Sequence, residues 1–403
     1  MSQPYDASRY RWLVLAVFVL STAINYLDRA TLSALGPVLT DEFQLSNTQF
    51  GLIGSAFSLT YAVSAPFAGM LIDRFGLNRA ISYAVGLWSC AGMATGLTSG
   101  LAGLVGCRAV LGMAEAAGIP AAGKAIHTYL RPGERALGNA VNQAGVSLGS
   151  VVAPLLATWI ALHSGWRNAF LVTGALGLLW IPLWLRVARS APVAEEPARD
   201  SGVVRAMLHD RRLWIFAAAN AISMVGYFFW GLWTSKYMVT VYGLTLGQAA
   251  WYVWIPPVFA SCGGFLGGWL SLRLVNRGVP APAARFRVCL AAGVLSLATA
   301  ALPWAESPAW ASAGISLSIF AVAAFSVNMY TLPLDTFGAA PAGFAISILV
   351  SSYGAISTVL GPALGAVIDS HGYAPVTTLL AFTSCRRFNS RCKSPSVPHD
   401  VRL

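Results

Sequence analysis

The sequence predicts an all-α polytopic membrane protein, and three observations carry that expectation. Of 403 residues, 56% are hydrophobic and only 10% are charged; soluble domains carry about 25% charged residues, so these few charges could not cover two or three soluble domains. The apolar residues run in long blocks, and a spanning helix needs ~20 of them. The basic residues fall almost entirely in every second link between blocks.

Scanned for such blocks, the chain gives twelve approximate segments: 12–36, 47–72, 80–99, 101–122, 136–161, 167–187, 213–237, 247–272, 284–303, 307–331, 341–368 and 373–384. With the N-terminus in the cytoplasm, the cytoplasmic links and tail hold 22 of the 26 basic residues, and the external links hold two, Arg167 and Lys236. This is the positive-inside bias of membrane proteins. The net charge of +11 is therefore a topology signal and not a nucleic-acid surface. No removable leader is expected, because the first segment is too long and lacks a small-residue cleavage site. The six cysteines show neither metal-ligand nor disulfide-framework spacing and read as small apolar residues.

The longest polar link, 188–212, carries charges of both signs and two prolines. It divides the chain into an N-terminal six-helix bundle (1–187), a cytoplasmic connector (188–212) and a C-terminal bundle (213–403). The halves share a degenerate repeat: GMLIDRFGLNR (69–79) follows the second segment and GGWLSLRLVNRG (267–278) follows the eighth. Repeated halves about a central site are a recurring transporter architecture. The twelfth segment departs from the pattern. About 12 apolar residues fall short of the ~20 that a crossing needs, and the chain then runs into TSCRRFNSRCKSPSVPHDVRL, so a truncated twelfth helix with an aberrant basic tail is expected.

Charges inside the apolar segments cost at least ~2.5–3.5 kcal/mol each and mark functional sites by default. There are four clear ones: Asp28 and Arg29 in the first segment, Arg108 and Glu115 in the fourth. Arg29 lies 18 residues beyond Arg11, about 27 Å along a helix, too deep for its head to reach the interface. Asp28 and Arg29 are consecutive and point ~100° apart, whereas Asn25 and Tyr26 share the face of Arg29. Arg108 and Glu115, seven apart, share one face of their helix. An arginine fork suits a carboxylate, and an acid in an apolar wall can take and release a proton. Anion binding with proton coupling needs both. The competing reading is a buried ion pair, Asp28 or Glu115 with Arg108, that only fixes helix register.

GMLIDRFGLNR resembles the loop motif of the major facilitator superfamily between the second and third spans. Together with NYLDR (25–29) and GWRNAF (165–170), it resembles the anion:cation symporter family within that superfamily, which includes bacterial galactonate, glucarate and hexuronate carriers. The resemblance covers residues ~10 to ~370. It implies two six-helix bundles around a central cavity and a secondary transporter of the bacterial inner membrane, working as a monomer. The expected function is proton-coupled symport of a small organic anion such as a hexonate or hexuronate, by alternating access. The resemblance further implies that Arg29 is the carboxylate ligand and that Asp28 and Glu115 are the proton-coupling sites. Tyr61 and Gln143 match positions lining a sugar-acid site, Tyr26 and Arg108 join them, and Gly69, Asp73, Arg74, Gly76 and Arg79 form the gating loop.

The C-terminal half offers neutral candidates: Tyr227, Trp230, Trp233, Asn328, Tyr330, Ser351, Ser352 and Tyr353, with Ser351 and Ser352 assigned to the substrate. Ser351 stands where the galactonate carriers usually have asparagine, and the wealth of Trp and Tyr would also suit an aromatic or dicarboxylic acid. A proton-driven efflux carrier is the alternative, but its usual fifth-span Gly-Pro-x-x-Gly-Gly ending is replaced by APLLAT (153–158). No nucleophile triad, metal cluster or phosphate loop is visible. The expectation is no enzyme, no metal and no cofactor other than the coupling proton.

Overall fold

The structure is a computed structural model, and it describes residues 7–188, 207–337 and 339–383. The described residues are almost wholly helical. α1 (Ala7–Ala34), α3 (Asn47–Phe75), α4 (Leu77–Thr95), α7 (Arg135–Ser164) and α8 (Trp166–Ala188) each form one continuous span of the first half. The fourth span is broken into α5 (Leu101–Glu115) and α6 (Gly118–Tyr129). The break lies just before Pro120, which has no N–H to give to Ala116. A short α2 (Gly36–Glu42), with proline in its first turn, follows α1.

The second half repeats the plan. Its seventh span is α9 (Arg211–Ser223) with α10 (Val225–Tyr242), and its eighth is α11 (Leu246–Val253) with α12 (Ile255–Asn276), broken where Pro256 and Pro257 enter the first turn. α13 (Ala281–Ser296) tightens into a 3₁₀ stretch over Leu297–Trp304. α14 (Pro308–Phe337), α15 (Ala339–His371) and α16 (Ala374–Thr383) complete it. Ten of these spans are long and apolar enough to cross a membrane. The twelfth, α16, is a helix of 10 residues. The basic tail and most of the 188–212 connector lie outside the described residues.

Helix pairing is the same in both halves. In the first, α1 packs on α7, α3 on α5, and α4 on α8; in the second, α9 packs on α15, α12 on α14, and α16 on the 3₁₀ stretch after α13. The repeat read from two loop sequences is thus a repeat of architecture. Between halves, α3 packs along α15, α7 against α12, and α1 against α10. The α3–α15 contact depends on glycine, because a Cβ on Gly51 would sit 2.2 Å from the Gly361 carbonyl oxygen. Gly76, at φ +79°, turns the chain between α3 and α4 in a conformation that side-chain-bearing residues rarely adopt.

The two ends of the molecule differ. At the end with the 35–46, 243–245 and 372–373 links, one apolar core crosses both halves, joining Leu35, Leu39, Phe50 and Phe170 to Phe229, Trp233, Ile315 and Ile368. At the other end each half has its own main core, with a small cluster of Tyr61, Ala68, Ala116 and Val350 bridging them along α3 and α15. Phe18, Tyr129, Trp180 and Trp184 pack in the first; Leu213, Phe325, Met329 and Leu349 pack in the second. Between these separate cores lies a cavity of 1220 Å³, closed at the first end and reaching Gly123, Asn139, Phe265 and Thr331 at the second.

Candidate functional site

The cavity is built around Arg29. Its guanidinium donates from Nη2 and Nε to Glu115 Oε2 at 2.6 and 3.0 Å. Three rings flank the same group: Phe57 at 4.7 Å, Tyr26 at 5.0 Å and Tyr61 at 5.3 Å from centroid to Cζ. A planar cation held between aromatic faces has few rotamers left, so the fork is aimed before any ligand arrives. The Arg29 side chain remains 32% exposed, whereas that of Glu115 is 0% exposed. The arginine is the cavity's charged surface, and the glutamate is the counter-charge behind it.

Each position has a local cause. Tyr26 precedes Arg29 by three residues and Asn25 by four, so helical spacing stacks them on its face; both line the cavity. Glu115 is the last residue of α5, at the break before α6. Asn25 is its amide neighbour, and Glu115 Oε1 has no hydrogen-bond partner. Arg108, two turns back on the same face, is 2% exposed, lines the cavity and leaves its Nε without a partner. Neither Glu115 nor Asp28 lies within 4.0 Å of Arg108 as an ion pair. The register-fixing pair that the sequence allowed is not the one that forms; Glu115 pairs across helices with Arg29.

Asp28, the other acid expected to couple protons, sits apart from the cavity. It points ~100° away from Arg29, is 2% exposed and does not line the cavity. Its carboxyl lies beside Gly92, Thr173 and Arg108, inside the first bundle. Tyr61 and Gln143 both line the cavity, Gln143 toward the open end.

The second half supplies tyrosines rather than the serines assigned to the substrate. Tyr227, Tyr330 and Tyr353 line the cavity and lie within electrostatic reach of Tyr26. Trp230 lines it as well. Ser351 and Ser352 do not line it, which corrects their placement among the substrate ligands. The Ser351 hydroxyl donates to the Ala62 carbonyl oxygen at 3.0 Å, across the α3–α15 contact, and that of Ser352 to Ala217 and Leu349 at 2.9 and 2.7 Å. Asn328 and Trp233 are likewise packing residues, both 0% exposed, with the Asn328 amide donating to Gly267 and Ala324.

In the loop motif, Lys124 Nζ meets Asp73 Oδ1 at 2.5 Å, tying α3 to α6, and Arg74 lies over Phe75. Gly69 is buried in α3, and Arg79 opens α4 beyond Gly76. In the second half Ser271 replaces the acid and accepts from Arg285 at 2.5 Å, while Arg285 pairs with Asp335 at 3.3 Å. Among the described residues no group of His, Cys, Asp and Glu could hold a metal ion.

One group escaped the sequence reading. Lys236, counted above with the external links, is buried inside α10, at 4% exposure. The seventh span simply runs on to Tyr242 rather than stopping near 237.

The sequence profile of the Major Facilitator Superfamily matches residues 18–380. The chain is 29% identical over 392 residues to the hexuronate transporter of Escherichia coli K12, covering 92% of this chain and 90% of that one. It is 29% identical over 283 residues to the galacturonate transporter of Dickeya chrysanthemi, covering 65% and 81%. Among solved structures, a bacterial homologue of the human lysosomal transporter Spinster, inward-facing and unoccupied, superposes with a TM-score of 0.74 at 22% identity, over 95% of this chain and 93% of that one. With these matches and the two six-helix bundles, this is an integral membrane transporter and not an enzyme, and the chain belongs to the Major Facilitator Superfamily.

Proposed function

We propose that the chain carries a small organic acid, with a sugar acid of the hexuronate type as the leading class, into a bacterial cell together with protons by alternating access. The observation that carries the reading is Arg29: an arginine fork facing a central cavity, held by three rings and neutralised from behind by a fully buried glutamate. A carboxylate approaching Arg29 competes with Glu115 for the same guanidinium. Protonation of Glu115 removes that competition, because a neutral carboxyl binds the fork far more weakly than a carboxylate. Loading an anion and loading a proton are then favourable together. The similarity to hexuronate and galacturonate transporters supports the substrate class.

Orientation follows from charge. The basic links 74–79, 124–135 and 273–287 lie at the open end, which the positive-inside bias assigns to the cytoplasm. The N-terminus is then cytoplasmic and the structure is inward-open. Arg29, Arg108, Tyr26, Tyr61 and Gln143 bind the anion, Glu115 carries the coupling proton, and Asp28 serves as a second proton site from inside the bundle without touching substrate. The five tyrosines around Arg29 favour a second reading, an aromatic carboxylate. Counterflow in proteoliposomes with galacturonate, glucuronate, galactonate, benzoate and succinate, followed by uphill uptake under an imposed pH gradient, tests both. Galacturonate counterflow with gradient-driven accumulation supports the first reading, preferential benzoate counterflow the second, and accumulation indifferent to the gradient contradicts proton coupling.

A further inference from the structure

Lys236 is a charged group that the closed end of the molecule does not explain. Its Nζ has no hydrogen-bond partner and lies 4.6 Å from the centroid of the Phe50 ring. Its Cγ is 3.2 Å from where a Cβ on Gly36 would stand. Phe50 and Gly36 belong to the first half and Lys236 to the second, so the covers of this ammonium are contributed by the other bundle. Burying an ammonium without a hydrogen bond is costly, and a single aromatic face offsets only part of that. The carboxylate whose charge reaches it is Asp369, which is not within 4.0 Å and is otherwise engaged. Asp369 accepts from the Asn47 and Thr48 backbone N–H groups at 2.8 and 2.9 Å and from both their side chains. Arg167, the other described Lys or Arg at this end, is paired with Glu42 at 3.1 Å.

The position of Lys236 gives the charge a use. Leu232, which lines the closed end of the cavity and presses on Gly54, lies four residues before it. The two therefore share one face of α10, Lys236 about 6 Å further out. Beyond Lys236 come the Asp369 contacts that join the halves. From outside inward the order is Asp369, Lys236, Leu232, Arg29. Parting of the halves at this end would strip Phe50 and Gly36 from Lys236 and leave its ammonium facing the gap, directly on the path to Arg29.

Resting on the transport reading above, we propose that Lys236 is a second carboxylate-binding position, which takes the substrate anion from the outside when this end opens and passes it inward to Arg29. A compact, mobile ammonium suits brief one-point capture, whereas the rigid arginine fork suits the two-point contact of the central site.

The test is the sidedness of galacturonate transport in oriented vesicles, comparing wild type with Lys236→Met, Lys236→Gln and Lys236→Arg. Both neutral variants are expected to raise the half-saturating concentration about tenfold or more from the external side and to leave the cytoplasmic-side value unchanged. Lys236→Arg, which keeps the charge, is expected to retain near-normal external half-saturation. Neutral variants that leave the external value unchanged, or raise both sides equally, would overturn the proposal while galacturonate transport itself stands. Wild-type vesicles that move none of the carboxylates above would instead overturn the transport reading, and this proposal with it.

Discussion

Arg29 concentrates three separate constraints in one side chain: a stack of rings, a buried counter-charge and an open face. Replacing it tests the two-point contact directly. Arg29→Lys keeps the charge but loses the planar fork and its fit between Phe57 and Tyr61, so carboxylate affinity is expected to fall at least about tenfold, or ~1.4 kcal/mol. Equilibrium binding to purified protein measures this, and near-normal affinity would remove Arg29 from the site. Glu115→Gln tests the coupling. The amide keeps size and hydrogen bonding but cannot titrate, so counterflow should persist while uphill uptake driven by a pH gradient is lost. If the pair served only to hold helices together, the same variant would instead lower folding yield, because Arg29 would be left uncompensated at a site walled by apolar rings. Monodispersity measured beside uptake separates the outcomes.

At the scale of elements, the contact between α3 and α15 decides how the closed end behaves. Gly51→Ala would place a methyl 2.2 Å from the Gly361 carbonyl oxygen, a backbone atom that cannot rotate away. Overpacking of this kind costs roughly 1–3 kcal/mol, and under alternating access that cost falls on the conformation in which this end is shut. Spin labels at positions 44 and 371, both exposed at this end, should then report a population with a longer separation than in the parent protein. An unchanged distance distribution would mean that the contact does not part. Ser351 sits on the same seam, bonded to the Ala62 carbonyl oxygen. Ser351→Asn is therefore expected to lower thermal stability and to leave the rank order of transported anions unchanged. A switched preference would restore Ser351 to the binding site.

For the whole molecule, the shared core at one end and the separate cores at the other define the state as open on one side. Combined with the charge bias, this predicts sided access. A cysteine at Gln143, exposed in the cavity, should react with a membrane-impermeant thiol reagent supplied from the cytoplasmic side. One at Ser46, exposed at the closed end, should react only from outside. The reverse pattern would invert the topology.

The sequence by itself determined the order of helical segments, the halves related by a repeat, and the placing of Arg29 and Glu115 deep within their segments. These depend on composition and on a rise of ~1.5 Å per residue, which are properties of a helix taken alone. Helical periodicity also placed Asn25 and Tyr26 with Arg29, and Arg108 with Glu115, because faces are set within one helix. What it could not determine was which face of each helix meets which neighbour. Rotation about a helix axis is fixed by packing against other helices, and glycine contacts such as Gly51 on Gly361 are what fix it here. Only the tertiary structure therefore paired Arg29 with Glu115 across α1 and α5 rather than leaving Glu115 to Arg108, and turned Asp28 into the bundle. Only it brought tyrosines rather than serines from the second half to the cavity, and covered Lys236 with residues of the opposite bundle.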